Sequence, residues 1–470
     1  MNLSADFFRR VESALIDEQL QKALPFTQDR LRTARIQAAK EIDHFESMRD
    51  MASEMRMHTL ENLDSYLEQL ATNVRNHGGQ VHFARRDRDA VACIQDIIRK
   101  TGASSVIKSK SMMTEEIHLN KHLENAGVKV IESDLGEYII QLAGESPSHL
   151  IAPAIHKSRK QVSELFSKVA NRELSDRTEE LCQFAREQLR SEFLQADIGI
   201  TGCNFAVAES GTIVLISNEG NARLTTTMPK VHIALMGIER IVPTWNDLGM
   251  IVPMLTRSAT GQKISVYMTA ITGPRHQEDI DGPDEFHLII LDNGRSDILG
   301  TAYQEVLKCI RCGACLNVCP VYRQIGGHAY GGVYSGPIGS VLTPLLGDYE
   351  EWGELPFASS LCGACTEVCP VKIPLHDLLL EHRKDEVEQG HSPFLEKVAF
   401  QTFQQVTRHP TLYQAAVSMA QVGSRLFGSE QHITDAPGPL ANWTETRDLP
   451  QPAKQSFHSW WKKEREKKHE

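Results

Sequence analysis

Two groups of cysteines carry most of the chemistry this sequence can do. One reads Cys309-x2-Cys312-x2-Cys315-x3-Cys319-Pro320, the other Cys362-x2-Cys365-x3-Cys369-Pro370. They hold seven of the ten cysteines in the chain, which makes them the first place to look for a site. Thiolates at this spacing, on a tight turn, fit three corners of an iron–sulfur cube, and the fourth cysteine of such a run ligates the other cluster. That rule assigns Cys309, Cys312, Cys315 and Cys369 to a first cluster, [4Fe-4S]. It assigns Cys319, Cys362 and Cys365 to a second. The second run lacks its first cysteine, and the residue in that place is Ser359. The second cluster is therefore expected as [4Fe-4S] with a non-cysteine fourth ligand (Ser359, a water or a partner's group) or as [3Fe-4S]. Gly313 and Gly363 let backbone N–H groups approach sulfur. Pro320 and Pro370 are expected to end each turn.

Two other uses of cysteine fit less well. A zinc site takes four thiolates from two CxxC pairs and needs neither seven cysteines nor Cys-Pro endings. Structural disulfides need an oxidising compartment, and an odd count leaves one thiol unpaired.

Around this region the chain has to supply elements that hold it. Its 470 residues suggest two to four domains and ample core. Hydrophobic residues at 41% and charged residues at 24% are ordinary for a globular protein. A net charge of −11 disfavours a general nucleic-acid binder. No apolar run reaches the ~18–20 residues of a membrane span. The charged N-terminal stretch has no signal-peptide core. The expected location is cytoplasmic, where thiols stay reduced. Peripheral contact with a membrane electron carrier through a partner stays open.

Four regions are expected in order. Residues 1–75 read as a helical arm for packing or docking. Leu31, Ala34, Ile36, Ala38, Ile42, Phe45 and Met48 recur at roughly helical spacing, and the absence of Pro and Gly between Gln28 and Asn76 suggests one long helix or two. Residues 76–295 alternate strand and helix signals, which implies an α/β domain with a largely parallel sheet. Strands are expected at 81–84, 105–108, 128–131, 138–142, 231–241, 251–254, 263–268 and 287–291, with helices at 88–100 and within 152–190. Residues 296–390 form the cluster region. The 42 residues between its cysteine runs favour a helical two-cluster module over a compact ferredoxin β-sandwich. Short helices are expected at 338–346 and 349–354, and an amphipathic one from His376. Residues 391–470 read as helix to 428. A loop with Pro437, Pro439, Pro450 and Pro452 follows from Ser429, and then a basic tail carrying Trp460 and Trp461, with Trp443 before it.

Within the α/β region several polar residues invite a functional reading beside a structural one. Ser109 to Thr114 is either an anion site or, the preferred reading, a helix cap. Asn204, Glu209, Asn218, Glu219 and Asn221 surround a strand pair in the stretch from Asp197 to Leu224; each is preferred as a turn residue over a pocket residue. Arg275 and Arg295 are basic residues to watch for a carboxylate substrate, with solvated loop arginine as the commoner outcome. Cys93 and Cys182 are read as buried packing, and Cys203 as no ligand. No GxGxxG follows a strand, so nothing supports nicotinamide or flavin binding.

Three stretches together resemble the lactate utilisation protein B family. They are TGCNFAVAESGTIVLISNEGNARL, CIRCGACLNVCPVYRQIGGHAYGGVYSGPIG and LCGACTEVCPVKIPLHDLL, and the tail with its paired tryptophans is similar too. The resemblance covers essentially the whole chain. It implies a sheet domain similar to the sugar-phosphate isomerase and CoA-transferase fold, and an all-α two-cluster domain similar to helical ferredoxins. It implies membership of a three-protein iron–sulfur system that oxidises L-lactate to pyruvate and so allows growth on lactate, with sister subunits as partners and a downstream carrier it does not identify. The same cysteine ligands match the family pattern, the missing first cysteine of the second run included. No catalytic residue carries over.

The expected role is thus electron transfer within an L-lactate-oxidising complex. Two alternatives differ in class. One is a redox-sensing or assembly scaffold with structural clusters. The other is an α/β-domain enzyme on another 2-hydroxy acid, with Glu209 its one candidate base.

Overall fold

The computed structural model describes residues 3–391, 394–424, 432–436, 438, 441–445, 447–453 and 455–469. Ser429, Pro437 and Pro439 of the expected C-terminal loop lie outside them. No described helix is long and apolar enough to cross a membrane. The chain forms two compact units, Met1–Gln389 and Gly390–Glu470.

The first unit opens with α1 (Leu3–Ile16), α2 (Glu18–Lys40), α3 (Phe45–Glu61) and α4 (Leu63–Asn76). From Gln28 to Asn76 the expectation was one or two helices, and the structure has three. Asn62 closes α3 with its backbone N–H on the His58 carbonyl, and the chain also turns at 41–44. Neither break needs Pro or Gly, so neither was visible as punctuation.

Ten strands follow: β1 (Gln80–Ala84), β2 (Ser105–Lys108), β3 (Lys129–Glu132), β4 (Ile198–Thr201), β5 (Phe205–Val207), β6 (Thr212–Ser217), β7 (Val231–Gly237), β8 (Ile241–Val242), β9 (Tyr267–Ile271) and β10 (Glu285–Leu291). Six of them form a sheet in the order β1-β10-β7-β4-β2-β3, parallel throughout. Its central strands read as continuous apolar runs because both faces are covered. β7, Val-His-Ile-Ala-Leu-Met-Gly, is buried along its whole length. A second sheet, β8-β5-β6-β9, contains the expected hairpin, with Phe205 opposite Val214.

Three expected strands in this region are not strands at their expected places. Residues 138–142 lie in the helix Leu135–Ala143, because Asp134 caps it by accepting from the Gly136 and Glu137 N–H groups. Ile251 to Met254 belong to the helix Trp245–Thr260, opened by a capping box between Thr244 and Asp247. The strand expected at 263–268 runs instead over Tyr267–Ile271. In the first two, a short apolar run looked like a buried strand; periodicity alone does not separate the two. The helical stretch 152–190 divides into Arg159–Ala170 and Thr178–Gln195, and Cys182 on the latter is exposed rather than buried packing.

Beyond β10 the described residues of the first unit contain no strand. Short helices, many of them single 3₁₀ turns, connect the cysteine loops, and Gly336–Leu346 and Leu375–Glu388 are the longer helices there. This region has no private core. Six of its seven cysteines share one apolar cluster with Leu24 and Ala52 of the N-terminal helices and with Phe205 and Val214 of the second sheet.

The second unit contains helices Phe394–Arg408 and Pro410–Ser424, a two-stranded ladder of His432–Ile433 with Leu449–Pro450, and helix Phe457–His469. Trp443, Trp460 and Trp461 are about half exposed in it.

Candidate metal centre

The first cysteine run folds by alternating handedness. Arg311 and Gly313, on either side of Cys312, have φ of 59° and 72°. This turns successive N–H groups inward, and the Arg311 N–H lies 3.4 Å from Cys309 Sγ. Gly313 needs no Cβ at its positive φ; Arg311 does carry one, and its left-handed backbone costs about 1–2 kcal/mol. Its guanidinium offsets that cost by lying 4.5 Å over the Tyr334 ring and pairing with Glu239 at 3.4 Å.

Cys309, Cys312, Cys315 and Cys369 line one apolar cavity, walled by Leu150, Ile338 and Ile373 among others. These are the four thiols that spacing assigned to the first cluster. Cys319, Cys362 and Cys365 form the second group: the charge of Cys362 acts on both Cys319 and Cys365, and that of Cys319 on Cys365. Cys315 also feels Cys365, so the two groups adjoin. Cys362 is exposed and the other six are buried. The first group is enclosed, and the second reaches the surface.

Burial pushes Cys312 and Cys315 well up from the ordinary thiol value, raises Cys319 and Cys369, and takes Cys365 up to about 11. Neighbouring thiols add to the rise at Cys312, Cys315 and Cys365. Such a donor set pays the desolvation of thiolate only when a cation sits among the sulfurs. Among the described residues no three His, Cys, Asp or Glu side chains stand close enough to hold a single metal ion. The four thiols line an apolar cavity, and their spacing is that of iron–sulfur ligands. Backbone N–H groups approach two further sulfurs, from Tyr322 to Cys319 and from Ile373 to Cys369, each at 3.4 Å. Pro320 does not simply end its turn. It is the first residue of the helix Pro320–Ile325, and Cys319 is that helix's N-cap.

The N-terminal helices strap these loops. Gln28 donates to the Leu316 carbonyl at 2.7 Å and Arg35 to that of Val368 at 2.7 Å. Arg49 on α3 donates twice to the Cys369 carbonyl, at 3.0 and 2.7 Å, and once to Glu367 at 2.7 Å. Arg56, fully buried, donates to the carbonyls of Ile241, Glu239 and Leu307. The α/β part supplies a further wall. His149 packs 3.4 Å from where a Cβ would stand on Gly313, and donates from Nε2 to Asn317 at 3.2 Å while Nδ1 accepts the Ile151 and Ala152 N–H groups. Burial lowers His149 to about 3, so it is neutral.

A buried charged seam joins the sheet to the first cysteine run. Arg295 pairs with Glu116 at 2.6 Å and with Glu239 at 2.9 Å, and Glu239 reaches Arg311. Tyr334 donates to Glu116 at 2.6 Å. Three arginines around Glu239 outweigh its burial and lower it to about 2. Gly237, at the end of β7, makes room: an added Cβ would collide with the Glu239 carboxylate. No motif announced this seam, because its members lie at positions 116, 239, 295 and 311.

The polar residues singled out in the α/β region take structural places. Asn204 accepts the Ile216 N–H at 2.9 Å, Asn221 that of Ala222 at 2.8 Å, and Glu209 that of Trp245 at 2.7 Å, at a helix start. Glu219 accepts from Leu135 at 3.4 Å, and Asn218 is exposed. Ser111 caps the helix Met112–Glu116, as the capping reading expected. Arg275 pairs with Asp284 on the surface at 2.7 Å. Arg295 is not a solvated loop arginine: it has no exposed surface, and carboxylates of the chain itself occupy it. Cys203 donates to the Phe205 carbonyl at 3.0 Å, and burial pushes its thiol up to about 12.

Comparison with known proteins adds three family matches: the LUD domain over residues 67–291, the 4Fe-4S dicluster domain over 305–373, and "Lactate utilisation protein B, C-terminal" over 381–466. Lactate utilization protein B of Bacillus licheniformis is 51% identical over 466 residues, covering 99% of this chain and 98% of its own. Its counterpart in Shouchella clausii is 53% identical over 459 residues, covering 97% of each. That of Bacillus subtilis is 50% identical over 464 residues, covering 98% of this chain and 97% of its own. A solved structure of a DUF162 family protein from Deinococcus radiodurans aligns with 49% of this chain and 98% of its own, at 14% identity and a TM-score of 0.28.

Proposed function

Because the chain belongs to the lactate utilisation protein B family, we propose that it is the electron-transfer subunit of a complex that oxidises L-lactate to pyruvate. One observation carries the reading: four thiols of the region 296–390 line a single apolar cavity, and Cys365 of the remaining three adjoins Cys315. Cys309, Cys312, Cys315 and Cys369 hold the first cluster in this reading, and Cys319, Cys362 and Cys365 hold the second. Iron–sulfur clusters bound there supply one-electron acceptance, and two of them match the two electrons that lactate releases. The protein's own part is to hold the thiols, exclude water from the first group, and aim N–H groups at sulfur. The exposed side at Cys362 is where a partner would meet the relay.

The finer parts of the reading follow the family. The α/β part is taken as sugar-phosphate isomerase and CoA-transferase-like, the cysteine region as a helical ferredoxin. The partners are the sister subunits of the lactate utilisation system, in the cytoplasm. Glu209, the base that the enzyme alternative would use, accepts the Trp245 N–H at a helix start, which favours a capping role for it.

The test is an electron paramagnetic resonance spectrum of anaerobically purified protein, with and without L-lactate, alone and mixed with the sister subunits. Cluster signals that change only with lactate and partners together are expected. Signals that never respond would overturn the relay and favour a scaffold with structural clusters. Cys309→Ala should in parallel abolish growth on L-lactate while sparing growth on glucose.

A further inference from the structure

The two cysteine runs are copies of one backbone device. Cys-Gly-Ala-Cys-x-x-Val-Cys-Pro closes the second, and Cys-Gly-Ala-Cys-x-x-Val-Cys-Pro closes the first as well. Each is preceded by a 3₁₀ turn, Gln304–Lys308 and Leu355–Phe357. The handedness repeats: Arg311 and Gly313 at 59° and 72° correspond to Leu361 and Gly363 at 52° and 79°. Leucine has no intrinsic reason to be left-handed, so the second loop keeps this geometry against a local cost.

In that register Ser359 stands where Cys309 stands. The correspondence extends to the side-chain atom. Cys309 Sγ faces the N–H two residues on, at Arg311, and Ser359 Oγ accepts the N–H two residues on, at Leu361, at 3.1 Å. The loop that carries Ser359 is held in place. Arg383 donates to the Pro356 carbonyl at 3.0 and 2.9 Å and to the Ser359 carbonyl at 3.1 Å, and its guanidinium lies 5.0 Å over the Phe357 ring. The second group otherwise counts three thiols.

We infer that Ser359 Oγ is the fourth ligand of the second cluster. This rests on the electron-transfer reading above and goes further, by choosing among the open alternatives for that corner. The bond that forms is iron to Ser359 Oγ. The bond that breaks would be the serine O–H, whose proton would go to solvent; no electron moves. An oxygen donor is harder than thiolate, which would set this corner apart from the seven thiolate ones.

The experiment compares wild type, Ser359→Ala and Ser359→Cys as full chains purified without oxygen, read by iron content, Mössbauer and electron paramagnetic resonance spectra, and reduction potential. Wild type is expected to hold two four-iron clusters. Ser359→Ala should lose one iron per chain and show a three-iron signal on oxidation, with the first cluster unchanged. Ser359→Cys should keep the wild-type iron count and shift the potential of the second cluster alone. A wild-type three-iron second cluster, or Ser359→Ala with wild-type iron and spectra, would overturn the assignment. So would an unaltered spectrum in Ser359→Cys, which keeps the question decidable if the alanine variant does not fold. Loss of both clusters from wild type would instead sink the electron-transfer reading, so the two failures are distinguishable.

Discussion

Glu239 shows how much a single residue of the α/β part matters to the cysteine loops. Its carboxylate is buried among Arg240, Arg295 and Arg311, and it pairs with the guanidinium that Arg311 brings to the Cys309 loop. A buried ion pair adds little net stability against an apolar substitute, but removing one partner leaves the others unpaired. Glu239→Gln is therefore expected to cost about 3–5 kcal/mol, read as a lowered denaturant midpoint with an unchanged slope. A loss below about 1 kcal/mol, the scale of an exposed pair, would mean that the arginines find water or other acceptors.

At the scale of elements, the helix α3 does what the sequence left undefined. Its charged face is not simply solvated: Arg49 and Arg56 turn inward and satisfy carbonyls of the cysteine loops, of the 3₁₀ turn Ile238–Arg240 and of β8. An arginine that caps buried carbonyls is hard to tell from a surface arginine in sequence, since both sit among other charges on a helix. Arg49→Ala should leave the Cys369 and Glu367 carbonyls without this donor, at about 1–3 kcal/mol. The loop that carries Cys369 should then open more often, and iron should be drawn off faster by a ferrous chelator. Chelation at the wild-type rate would show that the strap is redundant.

For the whole molecule, the division falls after Gln389, and all seven thiols of the two runs lie before it. A chain ending at Gln389 is expected to keep wild-type iron content and cluster spectra per chain. Loss of either cluster from that shortened chain would place a part of its support in Gly390–Glu470. The helix Phe394–Arg408, with no buried residue among its described side chains, offers Phe394, Phe400 and Phe403 to the outside, so any defect of the shortened chain is expected in assembly.

What the sequence by itself determined is chiefly local. Thiol spacing, with the rule that the fourth cysteine of a run serves the other cluster, leads to the expectation of a group of four and a group of three, and the expected four line one cavity. Strand and helix signals alternating along the chain established the α/β class and most strands of the parallel sheet, and the hairpin at Glu209 to Gly211 was legible from its turn residues. Tertiary structure decided what depends on contacts distant along the chain. It decided that 138–142 is helix, since the Asp134 cap outweighs an apolar run that suits a strand equally. It decided that Arg295 meets Glu116 and Glu239 inside the protein, a meeting of residues 179 and 56 positions apart that no pattern encodes. And it decided that Ser359 lies in the backbone setting of Cys309, because only a folded loop can show that a hydroxyl and a thiol each face the N–H two residues on.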